Sequence, residues 1–367
     1  MTMLHAAEYV LPGHPDKLCD AIADSLVEEA ARREKRALCG IEVAVHRAAV
    51  FITGRIACRG AKGIPVKEIA REVYRAVGYG ADWQPRPEVL DVRSNLCLGP
   101  LLEGEAGFRE VSDDQSIVTG YAVDLPGTNW LPPEHWLAWR LAGCVERLRA
   151  KSPDLGLGPD GKVVLVYNSE TKALASFSAS LQQKIGASEI ELHREVRSAV
   201  AGELAECAAA IPGFTPVVPE RFHVNGAGNF EVGGPEGDNG LSGKKLVVDA
   251  YGPRVPIGGG ALSGKDFFKA DRAGAILARR LAKAVVATGA AAESTATLAI
   301  FPGDAAFQIV SLRDGTGAAL DPRRWGPLID LSLAAAGEQH ALTSNLPDIA
   351  RYGHFTSAER QWEKIAF

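Results

Sequence analysis

The chain has 367 residues, 46% of them hydrophobic and 23% charged, with a net charge of −5 at pH 7. That is the make-up of a water-soluble globular protein of two or three domains, and the acidic balance argues against a general nucleic-acid binder, which would present a basic surface. No apolar run reaches membrane-spanning length, and the early His5 and Glu8 break the charged-then-apolar order of a secretion signal.

A short extended segment over 8–11 leads into Gly13-His14-Pro15-Asp16-Lys17. Leu18, Ile22 and Leu26 then recur at i, i+4, predicting a helix to about residue 33. Pro15 falls in its first turn, where a missing N–H costs nothing. A helix start is a ready anion site, and this one carries His14, Asp16 and Lys17. Strands over 40–46 and 49–56 form a hairpin, and a second helix covers 66–77. Residues 79–112 are broken by proline and glycine and show no helical period, so 97–111 is expected to be a lid loop.

The order then restarts with a strand over 117–123 and a helix over 132–150. Strands over 162–167 and 173–177 follow, joined by a polar turn with Asn168 and Glu170, and then a helix over 190–210. It runs a third time as a helix over 270–288, a hairpin from 296–301 and 307–312, and a helix over 325–336. Helix, hairpin, helix thus repeats at a spacing of roughly 115–140 residues. The expected fold is α/β (α+β): three similar units in a pseudo-threefold arrangement, each a sheet with helices on one face. Residues 1–100, 111–231 and 232–367 are the expected, interleaved domains. The open sheet faces need a cover, which a homo-oligomer provides. The six cysteines include no Cys-x-x-Cys pair and read as free thiols of a reducing compartment, so a cytoplasmic location is expected.

Residues 225–272 are the chemically richest stretch, with four lysines, four aspartates and many glycines. Glycine lets backbone N–H groups approach an anion closely. Lysines supply point charges for phosphate oxygens, and carboxylates hold the Mg²⁺ that accompanies a polyphosphate. The stretch is therefore expected to cradle a polyphosphate, with 246–250 as a hydrophobic strand inside it.

Gly13-His14-Pro15-Asp16-Lys17, Pro159-Asp160-Gly161-Lys162, Gly233-Gly-Pro-Glu-Gly-Asp-Asn-Gly-Leu-Ser-Gly-Lys-Lys245, Gly258-Gly-Gly-Ala-Leu-Ser-Gly-Lys-Asp266, Tyr352-Gly-His-Phe355 and Trp362-Glu-Lys364 occur in this order. Together they closely resemble the S-adenosylmethionine synthetases (methionine adenosyltransferases) over nearly the whole chain. The resemblance implies that a thioether sulfur, that of methionine in the family, attacks C5′ of ATP. The displaced triphosphate is then split to diphosphate and phosphate. Sulfur has no proton to lose, so such a site needs positioning and charge stabilisation instead of a general base.

The resemblance also implies roles. His14 would stabilise the leaving oxygen, with Lys162, Lys245 and Lys265 on the phosphates and Lys17 and Lys244 alongside. Asp16 and Asp271 would hold Mg²⁺, and Glu42 would serve K⁺. Asp160, Phe230 and Ala261 would line the nucleoside. Asp238, also on the ATP side, would lie near the acceptor with Lys269 and Arg55, and Asp114 near the reacting centre. The sites would lie between subunits of a homodimer or homotetramer.

Departures from the family pattern cluster at the acceptor end. Arg55 stands where the family has a glutamate that contacts the methionine ammonium, and there is no glutamine between Gln84 and Gln115, where the family's lid has one. Asp113-Asp114-Gln115-Ser116 replaces Gly-Asp-Gln-Gly, Leu11-Pro12 replaces Ser-Glu, and Asn229 and Lys244 replace arginines. Three readings stay open from the residues: a divergent methionine adenosyltransferase, the same chemistry on another acceptor such as a methylthio-carboxylic acid, and a non-catalytic ATP-binding paralogue.

Overall fold

The structure, a computed structural model, describes residues 3–365. Strand β1 (Leu4–Val10) precedes helix α1 (Pro15–Arg33), the hairpin β2 (Leu38–His46) and β3 (Ala49–Ala57), helix α2 (Val66–Val77) and strand β4 (Asp91–Gly99). After the short helix α3 (Glu103–Gly107) come β5 (Ser116–Val123), α4 (Pro133–Lys151), the hairpin β6 (Leu157–Asn168) and β7 (Ala173–Gln183), α5 (Glu189–Cys207) and β8 (Arg221–Val224). The third pass has β9 (Gly240–Leu241), α6 (Leu246–Asp249), α7 (Ala270–Ala287), the hairpin β10 (Glu293–Ile300) and β11 (Gln308–Asp314), α8 (Pro322–Trp325), α9 (Leu333–His340) and α10 (Leu346–Tyr352). The three helix–hairpin–helix passes expected from periodicity are all present.

Each pass lends a strand to another. β1 pairs with β6, β5 with β10, and β9 with β2, antiparallel in every case. The strand leading one pass therefore completes the sheet of the next, and the third returns to the first. The sheets run β4-β3-β2-β9, β1-β6-β7-β8 and β11-β10-β5. In the first two, the hairpin's second strand pairs in parallel with a strand that follows the helix, β4 on β3 and β8 on β7.

Period-2 alternation decides which sheet face is covered. Along β2, Cys39, Ile41, Val43 and Val45 are buried, while Glu42 and His46 are exposed. The long helices α1, α4 and α7 lie on the covered faces. The contact is closest at Gly120, where a Cβ would stand 1.9 Å from the Ala278 carbonyl oxygen. That approach seats β5 on α7 and brings Ser116 to Asp271. The opposite faces leave Phe51, Val164, Ile117 and Val310 exposed.

Three local expectations differ. In place of the strand expected over 246–250, residues 246–249 form the single-turn α6, because no neighbouring strand offers a ladder and the turn buries Val248 and Asp249. The lid segment is not all loop. Residues 97–99 end β4, and α3 follows; the edge position of β4 weakens its alternation, and α3 buries no residue and so shows no apolar period. Residues 325–336 split into α8, a turn at Gly326–Leu328 and α9, because Pro327 cannot continue a helix.

Candidate active site

Helix α1 begins at His14, whose Nδ1 accepts the Asp16 N–H at 3.2 Å. With Nδ1 an acceptor, the neutral ring carries its proton on Nε2. Burial pulls the His14 pKa down to about 4 against the opposing pull of Asp16. His14 is therefore a neutral donor at pH 7. It lines a pocket of about 340 Å³ together with Asp160, Lys162, Phe230 and Asp238. Asp160 Oδ2 accepts the Gly234 N–H at 2.7 Å, and burial raises its pKa to about 6. Lys162 Nζ is 2.6 Å from Glu8 Oε2, and Tyr79 fixes the turn before His14 by donating to the Gly13 carbonyl at 2.7 Å.

The rest of α1 holds the glycine-rich stretch in place. Asp16, Asp20 and Asp24 recur at i, i+4, i+8 and so share a helix face. Asp16 Oδ1 accepts the Leu241 N–H at 3.0 Å, Asp20 Oδ1 that of Gly243 at 2.8 Å, and Asp24 Oδ1 that of Gly264 at 2.9 Å. Gly264 has φ +84°, and a Cβ there would stand 2.2 Å from the Ile41 carbonyl oxygen, so only glycine fits. Lys245 Nζ lies 3.4 Å from Asp16 Oδ2, and Lys244 Nζ 3.9 Å from Asp16 Oδ1. These two lysines thus join His14 at the helix start.

Lys17, expected among the phosphate contacts, faces the interior instead. Its side chain is 0% exposed, with Nζ 3.1 Å from Asp20 and 2.5 Å from Asp249. Burial opposes its charge, but Asp249 and Asp20 outweigh burial and hold its pKa above the usual lysine value. Burial would likewise raise the Asp249 pKa, yet Lys17 brings it down to about 2. The network continues through His354, 3.6 Å from Asp249, to Arg272, which grips Asp24 with both terminal nitrogens at 2.7 and 2.8 Å. Asp20, Asp24, Asp249, Arg272 and His354 have no assigned role in the motif reading. The i, i+4, i+8 spacing of the aspartates was the available signal for two of them.

A second group lies on the far side of Gly243. Lys265 and Ser116 both bond Asp271, and Lys269 bonds Asp113. A Cβ at Gly260 would stand 2.1 Å from the Asp271 carboxylate. Ala261, expected beside the nucleoside, packs instead under Gly243 at 8% exposure, where a Gly243 Cβ would come within 2.5 Å of its own. That contact joins the two groups. Asp114 is exposed and accepts the neighbouring Gln115 N–H at 2.8 Å, while the adjacent Asp113 takes Lys269. Glu42 stands on the open face of β2 and accepts a bond from Ser242 Oγ at 2.6 Å.

Among the described residues no three His, Cys, Asp or Glu side chains gather as a metal cluster. Asp16 and Asp271 sit in the two separate groups. Asp16 Oδ2 is buried without a hydrogen-bond partner, which fits an oxygen ligand of a hard cation. Asp271 has one oxygen on Ser116 and the other on Lys265, which leaves each oxygen a second lone pair for a cation.

Arg55 does not present a free charge. Its Nε and Nη2 donate to the two oxygens of Glu105 on α3 at 2.9 and 2.8 Å.

Residues 2–95 match the profile described as S-adenosylmethionine synthetase, N-terminal domain, and residues 232–364 that of the C-terminal domain. The chain belongs to the S-adenosylmethionine synthetase family. It is 31% identical to the S-adenosylmethionine synthase of Methylobacterium radiotolerans over 98% of this chain and 95% of that one. It is 33% identical to that of Methylorubrum populi (96% and 92% covered) and 30% to that of Borreliella afzelii (98% and 94%).

Proposed function

We propose that this member of the family is a methionine adenosyltransferase, forming S-adenosylmethionine from ATP and methionine and splitting the displaced triphosphate to diphosphate and phosphate. The observation that carries this reading is the pocket that gathers His14, Asp160, Lys162, Phe230 and Asp238 beside Lys244 and Lys245. The nucleoside lies against Phe230 and Asp160. The Nε2–H of His14 donates to the oxygen that departs from C5′, where negative charge develops. Lys162, Lys244, Lys245 and Lys265 hold the phosphates as fixed charges, and Lys269 and Asp114 stand toward the reacting centre. The methionine sulfur attacks unaided by a base, because the thioether carries no proton.

Asp16 and Asp271 would hold Mg²⁺ and Glu42 K⁺, and these ions would neutralise polyphosphate charge. A second copy of the chain covers the open sheet faces, where Phe51, Ile117 and Val310 are exposed, and brings the two residue groups of different copies together. Among the described residues no helix is long and apolar enough to cross a membrane, and a cytoplasmic enzyme is the reading that fits six free cysteines.

The test is incubation with ATP, Mg²⁺, K⁺ and methionine. S-adenosylmethionine by mass spectrometry, with phosphate and diphosphate in equal amounts, is the expected outcome. ATP binding without product from any thioether would sink the proposal in favour of a binding paralogue.

A further inference from the structure

Arg55 on β3 stands opposite Gly40 of β2 and Cys97 of β4, and Gly40 is bridged in turn to Lys265. Directly opposed residues share a sheet face, so Arg55 and Lys265 stand on one face, two strand spacings or about 10 Å apart. Between them is Gly40, where a Cβ would meet nothing within 4 Å. The sheet face above Gly40, between Lys265 and Arg55, is therefore open. Helix α3, tied to Arg55 by Glu105, borders it at the Arg55 end.

The bonding at that end separates the two charges. Arg55 Nε and Nη2 serve Glu105, Nη2 also donates to the Pro100 carbonyl at 2.8 Å, and Nη1 to that of Cys97 at 3.2 Å. Four of its five N–H groups are thus used. One Nη1 N–H is left over, so a substrate carboxylate could grip Arg55 with both oxygens only by stripping it from its own partners. Glu105 is in the opposite position. Oε2 accepts from Arg55 and from the Leu102 N–H at 2.8 Å, whereas Oε1 accepts from Arg55 alone among the described residues. Hydrogen bonding to each other raises the pKa of Arg55 and lowers that of Glu105, so both stay charged. The Arg55 end of this open sheet face offers a fixed carboxylate with acceptor capacity to spare.

We propose that Glu105, oriented by Arg55, receives the cationic amine of the thioether acceptor and so selects amino-acid thioethers over purely anionic ones. This rests on the adenosyl-transfer reading: the sulfur must lie at the phosphate end, and the polar end of the acceptor then extends over Gly40 toward Arg55. Arg55 is a positioning residue and does not bind the acceptor carboxylate.

The experiment compares kcat/KM for methionine with that for its deamino analogue, 4-(methylthio)butanoate, in the wild type, Glu105→Gln and Arg55→Lys. The wild type is expected to prefer methionine. Glu105→Gln should reduce that preference about tenfold or more, the scale of one hydrogen bond to a charged group. Arg55→Lys keeps the charge but not the two-pronged grip and should reduce it less, with the loss in KM rather than kcat. An unchanged preference in Glu105→Gln overturns the proposal, as does a wild type that uses both thioethers equally. If Glu105→Gln turns over neither, methionine binding in the presence of a non-hydrolysable ATP analogue decides, and unaltered affinity overturns it. A wild type inactive on every thioether fails the adenosyl-transfer reading itself, a different result from any of these.

Discussion

The most demanding consequence of the buried α1 network concerns Asp24. Its carboxylate and the Arg272 guanidinium are both 0% exposed, so neither can recover hydration if the other is removed. Asp24→Ala deletes two short bonds to Arg272 and the 2.9 Å bond from the Gly264 N–H. Arg272 keeps the Lys265 carbonyl at 2.9 Å and the face of Phe267 at 4.7 Å, which shelter its charge only in part. Breaking a buried pair from one side costs about 3–5 kcal/mol, a large share of the roughly 5–15 kcal/mol by which folded proteins are stable. Urea unfolding followed by tryptophan fluorescence and circular dichroism should therefore show a lower midpoint at unchanged slope. The KM for ATP should rise as well, because the loop carrying Lys265 loses its anchor at Gly264. The double variant Asp24→Leu/Arg272→Met buries no charge and should recover at least half of the lost stability. A loss below about 1 kcal/mol for Asp24→Ala, or a double variant no more stable than the single one, would refute the reasoning.

The same logic separates two lysines that the motif reading treated alike. Lys17→Met leaves Asp20 and Asp249 buried without their cation and should destabilise by about 3–5 kcal/mol in the same urea assay. Lys244→Met, at a side chain 45% exposed, should leave the midpoint in place and raise only the KM for ATP. The fully buried His135 has its pKa lowered by burial to about 4 from 6.5. Between these values the unfolded chain binds the extra proton, so its stabilising contribution is present above 6.5 and is lost as pH falls toward 4. Replacing it by leucine should flatten the acid limb of the stability profile by one proton, up to about 1.4 kcal/mol per pH unit; an identical slope in wild type and His135→Leu would contradict the assignment.

What could be read from the residues had a local pattern. The hairpins alternate with period 2, and α1, α4 and α7 carry apolar residues one turn apart, so three repeats were visible before any contact was known. The residues expected to hold phosphate stood out because glycine, lysine and aspartate are dense there. Pairing between distant segments has no local pattern. β9 is two residues long, too short for any period, and nothing near Leu4 indicates that it faces Asn168. Lys17 shows the same limit at a single residue. Its place in a phosphate motif pointed outward, but its side of the helix faces Asp249, 232 residues away. Glu105 was hidden because α3 buries nothing, and Arg55 looked like a charge reversal because its partner lies on that helix.

The circular lending of strands has a consequence for how such a chain can come into being. A single pass, cut out alone, would hold a hairpin lacking its antiparallel partner and a leading strand with nowhere to pair. Three such pieces in solution would be expected to complete one another only as a ring of three, each inserting its first strand into the neighbour. The contiguous protein is that exchanged trimer with its ends joined. Each hairpin pairs locally, but the closing pairings Leu4↔Asn168, Val123↔Glu293 and Ala44↔Leu241 all await distant chain, a topology that favours slow closure of the sheets.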